Sequence, residues 1–213
     1  MPKIDYTLTK LKIRTTELSV FDYFLALFVI NVVLMSLAGF FYNGTFHFWT
    51  YPFSYLGIAY TQEGLSNTTA SHIYSTSMAG SAILMFLLAN HLRKGNSNGN
   101  TLRPMFCLIC GSGALIAAVS PDDTVHTFHV IGSALMVSTL WAMATTYLIG
   151  IQEKIGHIRY HVVQFGFLQI PMLAYAAAFF LGLDPVDSIL QKTALLGLAI
   201  GLLYPTYHLT KKD

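Results

Sequence analysis

The densest cluster of potentially reactive side chains runs Ser120-Pro121-Asp122-Asp123-Thr124-Val125-His126-Thr127-Phe128-His129. If His126 and His129 open a helix, their three-residue spacing projects them from nearly one face. Two imidazoles beside two carboxylates suit a divalent, zinc-like ion. In that arrangement His126, His129 and Asp122 are metal ligands and His72 completes the set. Asp123 is then a further ligand or the catalytic carboxylate. The plain alternative is that Pro121 and the two aspartates break the chain and cap the next helix, while the histidines satisfy neighbouring polar groups. Ser54, in Tyr51-Pro52-Phe53-Ser54-Tyr55-Leu56-Gly57, is the second catalytic candidate. Its hydroxyl would position a metal-bound water or donate to a developing oxyanion. Against that stands an ordinary serine in a Pro/Gly turn.

Other polar groups read more simply. His47 belongs to an interfacial loop. His157 and His161, beside Arg159, reach headgroups and water. Asp22 is solvated near one end of its helix, and Asn31, at membrane depth, is expected to hydrogen-bond to another helix. Cys107 and Cys110 share a helix face in an apolar stretch and read as reduced packing thiols, with a Cys-x-x-Cys redox or metal role as the alternative. Gly80, Ser81, Gly111, Ser112, Gly113, Gly132 and Ser133 allow close helix approach. Pro171 predicts a kink, with Gln169 bonding to the backbone groups that the kink frees.

The elements that position these residues follow from composition. Of 213 residues, 54% are hydrophobic and only 10% charged, against about 25% charged in a soluble domain. So little charge leaves lipid as the solvent for most of the surface. Six segments approach the roughly 20 apolar residues needed to cross a bilayer: residues 18–42, 70–92, 102–119, 126–149, 160–181 and 188–208. The expectation is an all-α polytopic bundle forming one integral membrane domain over residues 1–213. Residues 43–69 form an aromatic loop holding Phe46, Phe48, Trp49, Tyr51, Phe53, Tyr55 and Tyr60, suited to a re-entrant or surface-lying cap. Residues 95–100 form a flexible turn. The first twenty residues lack a cleavable signal pattern, so the first helix is expected to stay attached.

Eleven of the twelve basic residues fall at one end of the bundle and only Lys192 at the other. The positive-inside rule therefore places both termini in the cytoplasm. The opposite end carries Glu63, Asp122, Asp123, Asp184, Asp187, His47, His72, His126 and His129. The expected location is a prokaryotic inner or plasma membrane. No basic run is dense enough for nucleic acid.

Ser54-Tyr55-Leu56-Gly57 resembles the Ser-x-Leu-Gly element after the first helix in the domain of unknown function 998 family of bacterial and archaeal membrane proteins. Pro121-x-Asp123, with His126 or His129 following, resembles that family's second element, and Ser188-Ile189-Leu190-Gln191-Lys192 its last-helix entry. The resemblance implies a six-helix membrane fold over most of the chain. A more distant resemblance is to the alkaline ceramidase and adiponectin-receptor superfamily, in which serine, aspartate and three histidines hold zinc for lipid amide hydrolysis. Those proteins have seven helices and a His-x-x-x-His pair on the last. Here the sixth helix has only His208, at the far end.

Three function classes follow. The leading expectation is a metal-dependent lipid hydrolase or acyl-transfer enzyme with Zn at the outer leaflet, acting on membrane lipid. The alternative is a non-catalytic lipid-binding or assembly subunit that meets a membrane-protein partner. A small transporter is third, disfavoured because the mid-membrane sections have almost no ionisable residues.

Overall fold

The computed structural model describes residues 18–95, 101–183 and 186–210. Lys3, Lys10, Lys12, Arg14, most of the 95–100 turn, Asp184, Lys211 and Lys212 lie outside the described residues. Six helices account for most of what is described: α1 (Val20–Phe40), α2 (Thr68–Lys94), α3 (Leu102–Val119), α4 (His126–Ile155), α5 (His157–Leu181) and α6 (Val186–Thr210). Each is long and apolar enough to cross a membrane. Among the described residues the only strand-like pairing is the isolated bridge between Tyr60 and Ser66. The chain is an all-α integral membrane protein.

Neighbours in sequence are neighbours in space from α1 to α4. The last helix, α6, then packs between α4 and α1, and α5 lies outside, mainly against α6. Because the number of helices is even, both described termini fall at one end, here the terminal end. The 41–67 loop lies at the other, the cap end.

Local chemistry sets the helix boundaries. Ser19 opens α1 in a capping box: its hydroxyl accepts from the Asp22 N–H at 3.3 Å, and Asp22 Oδ2 accepts from Ser19 N at 2.8 Å. Asp22 is thus a capping residue, which is more specific than the solvated aspartate expected. Helix α4 runs to Ile155, six residues past its expected end. Gln152, Glu153 and Lys154 look like a loop by polarity, yet all are good helix formers and carry the helix beyond the apolar layer. The break is Gly156 at φ +79°, a conformation that favours glycine.

Helix packing depends on a few small residues. A Cβ built at Gly113 would lie 2.6 Å from the Gly132 carbonyl, and one at Gly132 would lie 2.7 Å from the Gly113 carbonyl. The α3 and α4 backbones therefore touch where both residues are glycine. Gly80 is different, since its nearest neighbour would be Ile30 Cγ2 at 3.8 Å, an ordinary contact. Asn31 makes the interhelical bonds expected of it: Nδ2 donates to Ser81 Oγ at 2.8 Å, and Oδ1 accepts from Ser77 Oγ at 3.1 Å.

Helix α5 departs from expectation in how it accommodates Pro171. The preceding turns, Val162–Gln169, are widened to π geometry, with the Ile170 N–H reaching the Phe165 carbonyl five residues back. Proline has no N–H for the carbonyl of Phe167, and that carbonyl presses on α6 at Gly197, where a Cβ would collide with it. Gln169 does not bond to freed backbone groups. Its Oε1 accepts from Trp141 Nε1 at 2.9 Å and its Nε2 donates to Thr145 Oγ1 at 3.2 Å, so it ties α5 to α4.

Candidate functional site beneath the aromatic cap

The 41–67 loop is a packed cap in which Leu56, Gly57 and Ile58 are buried. Its centre, Phe53–Gly57, is a 3-10 turn. Three parts of the chain hold it through its backbone. At the start of α2, Asn67 Nδ2 donates to the Leu56 and Ile58 carbonyls at 3.3 and 3.1 Å, and Ser71 Oγ donates to the Gly57 carbonyl at 2.9 Å. Gly57 sits on the ring of Tyr74 so closely that a Cβ would fall 2.5 Å from Cδ1. From the α3–α4 connection, Asp123 accepts the Ala59 N–H on both oxygens at 3.0 Å and the Tyr60 N–H at 3.0 Å.

The remaining ties come from α6, steadied by α5. Gln191 Oε1 accepts the Phe53 N–H at 2.9 Å, and its Nε2 donates to the Tyr175 hydroxyl on α5 at 3.3 Å. Lys192 Nζ donates to the Tyr51 carbonyl at 2.8 Å and to the Ser188 carbonyl at 2.9 Å. The same ammonium lies 5.3 and 5.1 Å from the ring centroids of Phe48 and Phe53, within cation–π range. Lys192 is only 8% exposed. The Pro121–Asp123 and Ser188–Lys192 segments, far apart in sequence, therefore both bind the cap loop, at residues on either side of Ser54–Gly57.

The expected site residues are distributed differently. His126 is exposed and its Nδ1 lies 2.7 Å from Asp122 Oδ1. His129 is 2% exposed and points inward, with its ring 6.1 Å from that of Tyr74. Three residues along a helix leave about 60° between side chains, and the boundary between surface and interior runs through that angle. Neither aspartate caps α4, because Val125 holds that position without a side-chain bond. Ser54 is half-buried and His72 exposed, and among the described residues no hydrogen bond joins either to His126, His129, Asp122 or Asp123. The expected ligand set is not assembled: among the described residues no three His, Cys, Asp or Glu side chains converge in a manner suited to a metal.

One chemical feature survives that redistribution. The Nδ1 of His129 lies 2.7 Å from the Ser120 carbonyl. A carbonyl only accepts, so this nitrogen carries the proton and the neutral ring's lone pair lies on Nε2. That Nε2 is buried and has no partner among the described residues. It is the one nitrogen of the expected set that remains a buried, available acceptor or base.

Sequence reasoning passed over Lys192 and Gln191 as site residues. A signal was present: Lys192 is the one basic residue at the cap end, and it lies inside a spanning helix, where a charge requires partners. No family model, curated protein or solved structure matches the chain.

Proposed function

We propose that this is a non-catalytic membrane protein that presents a rigid aromatic cap, at the outer membrane interface, to a membrane lipid or a membrane-protein partner. The observation that carries this reading is Asp123, whose two carboxylate oxygens are both turned to cap backbone N–H groups and so are committed to holding the loop. Lys192 and Gln191 act on the same loop at Tyr51 and Phe53. Trp49, Phe48 and Tyr60 stay exposed on the cap, the residue types that settle at a membrane–water boundary. The outward placement of the cap rests on the basic residues Arg93, Lys94, Arg103, Lys154 and Arg159 at the other end. Membership of the domain of unknown function 998 family belongs to the same proposal, supported by the three resembling segments that converge on the cap.

A lipid hydrolase or acyl-transfer reading is favoured by one observation, the unpartnered Nε2 of His129. A base at that position would take a proton from an incoming hydroxyl or water.

Limited proteolysis and lipid-substrate turnover of wild type, Asp123→Ala and His129→Ala, purified in detergent, separate the two readings. The cap reading expects cleavage of the 41–67 loop to rise at least tenfold in Asp123→Ala. Helical content should be unchanged, and a lipid or protein that co-purifies with wild type should be lost. Turnover by wild type that disappears in His129→Ala would replace the cap reading with the enzymatic one.

A further inference from the structure

The seam between α3 and α4, toward the terminal end, holds three sulfur atoms that the cap does not use. Cys107, Cys110 and Met143 are 0, 1 and 0% exposed, and both cysteines are free thiols. Cys107 Sγ lies 3.5 Å from Met143 Sδ. Cys110 is one turn further along α3 and within interaction range of Thr139, which is one turn before Met143 on antiparallel α4.

Two donors beside this cluster lack acceptors. The Tyr147 hydroxyl and Arg103 Nε are buried with no hydrogen-bond partner among the described residues. The Arg103 guanidinium stacks 4.1 Å over the Tyr147 ring, and its Nη2 donates to the Thr146 carbonyl at 3.3 Å. Among the described residues no carboxylate pairs with Arg103. Tyr147 is within electrostatic reach of both Arg103 and Cys107. Among the described residues the seam therefore combines soft ligands, a cation with no carboxylate partner and two buried donors with no acceptor.

We propose that Cys107, Cys110 and Met143 form a site for one Cu(I) ion. Thiolate and thioether sulfur select a soft monovalent metal. Zn(II) favours four ligands, usually with histidine or carboxylate where thiolates are few, and among the described residues none converges here. On binding, two S–H bonds break, two copper–thiolate bonds form and two protons leave to water, with copper remaining Cu(I) throughout. Met143 adds a neutral third ligand. The ion with two thiolates carries one negative charge, which the Arg103 guanidinium cancels, as a low-dielectric interior requires. The Tyr147 hydroxyl, which lies within reach of Cys107, gains an anionic acceptor that it lacks. Cys107 is five residues into α3, about 8 Å from its start, so the ion has a short path from the terminal end.

Sulfur packing alone would explain the burial, and the test separates the two. The full chain, reduced and purified in detergent without oxygen, is offered Cu(I) as its bicinchoninate complex and, separately, Zn(II). The expected result is one Cu(I) per chain withdrawn from the chelator, with a sulfur-only shell in X-ray absorption. Cys107→Ser/Cys110→Ser should abolish uptake, and the volume-conserving Met143→Leu should weaken it at least tenfold. Thermal unfolding confirms that each variant is folded, and single Cys→Ala variants replace the double one if it is not. No uptake by folded wild type, uptake retained without both thiols, or tighter holding of Zn(II) would overturn the proposal. Asp123→Ala should take up Cu(I) normally, so failure of the cap reading and failure of the copper site are distinguishable.

Discussion

Tyr42 lies just beyond α1 with its side chain enclosed at the cap end, only 6% exposed. Burial, helped by the nearby Tyr51, Glu63 and Tyr55, pushes its phenol up to about 12. In the unfolded chain the same group titrates near 10. Between those values the unfolded chain has lost a proton that the folded chain keeps, so stability falls as pH rises. The contribution is fully present below about pH 10 and lost through about pH 12. Proteolysis of the 41–67 loop should accelerate across that window in wild type, and Tyr42→Phe should remove this component. A wild-type profile identical to that of the variant would show that the phenol is not held neutral by the cap. The same sensitivity to immediate surroundings divides His126 from His129, one on a surface carboxylate and the other sealed inside.

Among the helices, the glycines differ in what they permit. Gly197 and Gly113 each lie against the backbone of a neighbouring helix, whereas Gly80 meets only a side-chain methyl at van der Waals distance. A methyl added at either of the first two must move a helix, and overpacking of this kind costs about 1–3 kcal/mol. Gly197→Ala and Gly113→Ala should each lower the melting temperature in detergent by several degrees, and Gly80→Ala should leave it within about one degree. Equal effects at all three would mean that the α3–α4 and α5–α6 contacts are looser than described. The π turns of α5 belong to the same balance. They place the Phe167 carbonyl on Gly197, so substitution there acts on the contact through which α5 joins the bundle.

For the whole molecule, the arrangement of charge and the six-helix count decide how the protein sits in its membrane. The cap end carries Gln62 exposed on the loop, and the terminal end carries Glu153 exposed near the end of α4. Cysteine introduced at Gln62 should react with a membrane-impermeant maleimide in intact cells. Cysteine at Glu153 should react only after permeabilisation, and buried Cys107 and Cys110 should stay silent in both. The reverse pattern would invert the orientation and place the cap on the cytoplasmic side. Closure of the ring by α6 also matters at this scale. It carries Gln191 and Lys192 to cap residues 138 and 141 positions away in sequence, so a loop held locally by α2 is also fixed to the last helix.

The spanning segments, the all-α class and the aromatic cap were legible in the sequence because each is a property of continuous composition. Eighteen or more apolar residues in a row require a helix in lipid wherever they occur. The interhelical role of Asn31 was legible for a related reason, since an amide at membrane depth has no water to satisfy it. Which cap-end polar groups meet was decided only in three dimensions. Spacing placed His126 and His129 together, but the packing of Tyr74 and the Ser120 carbonyl drew one ring inward while Asp122 held the other at the surface. Asp123 looked like a ligand and became a tie for the cap backbone, because the Ala59 and Tyr60 N–H groups lie within its reach. Lys192 was visible as an isolated charge, and its partners, a carbonyl at Tyr51 and two aromatic faces, came from a distant loop. Local chemistry and hydrophobicity act along the chain, whereas a polar group's partner depends on how helices pack. That packing turned on glycine contacts whose geometry no spacing rule contains.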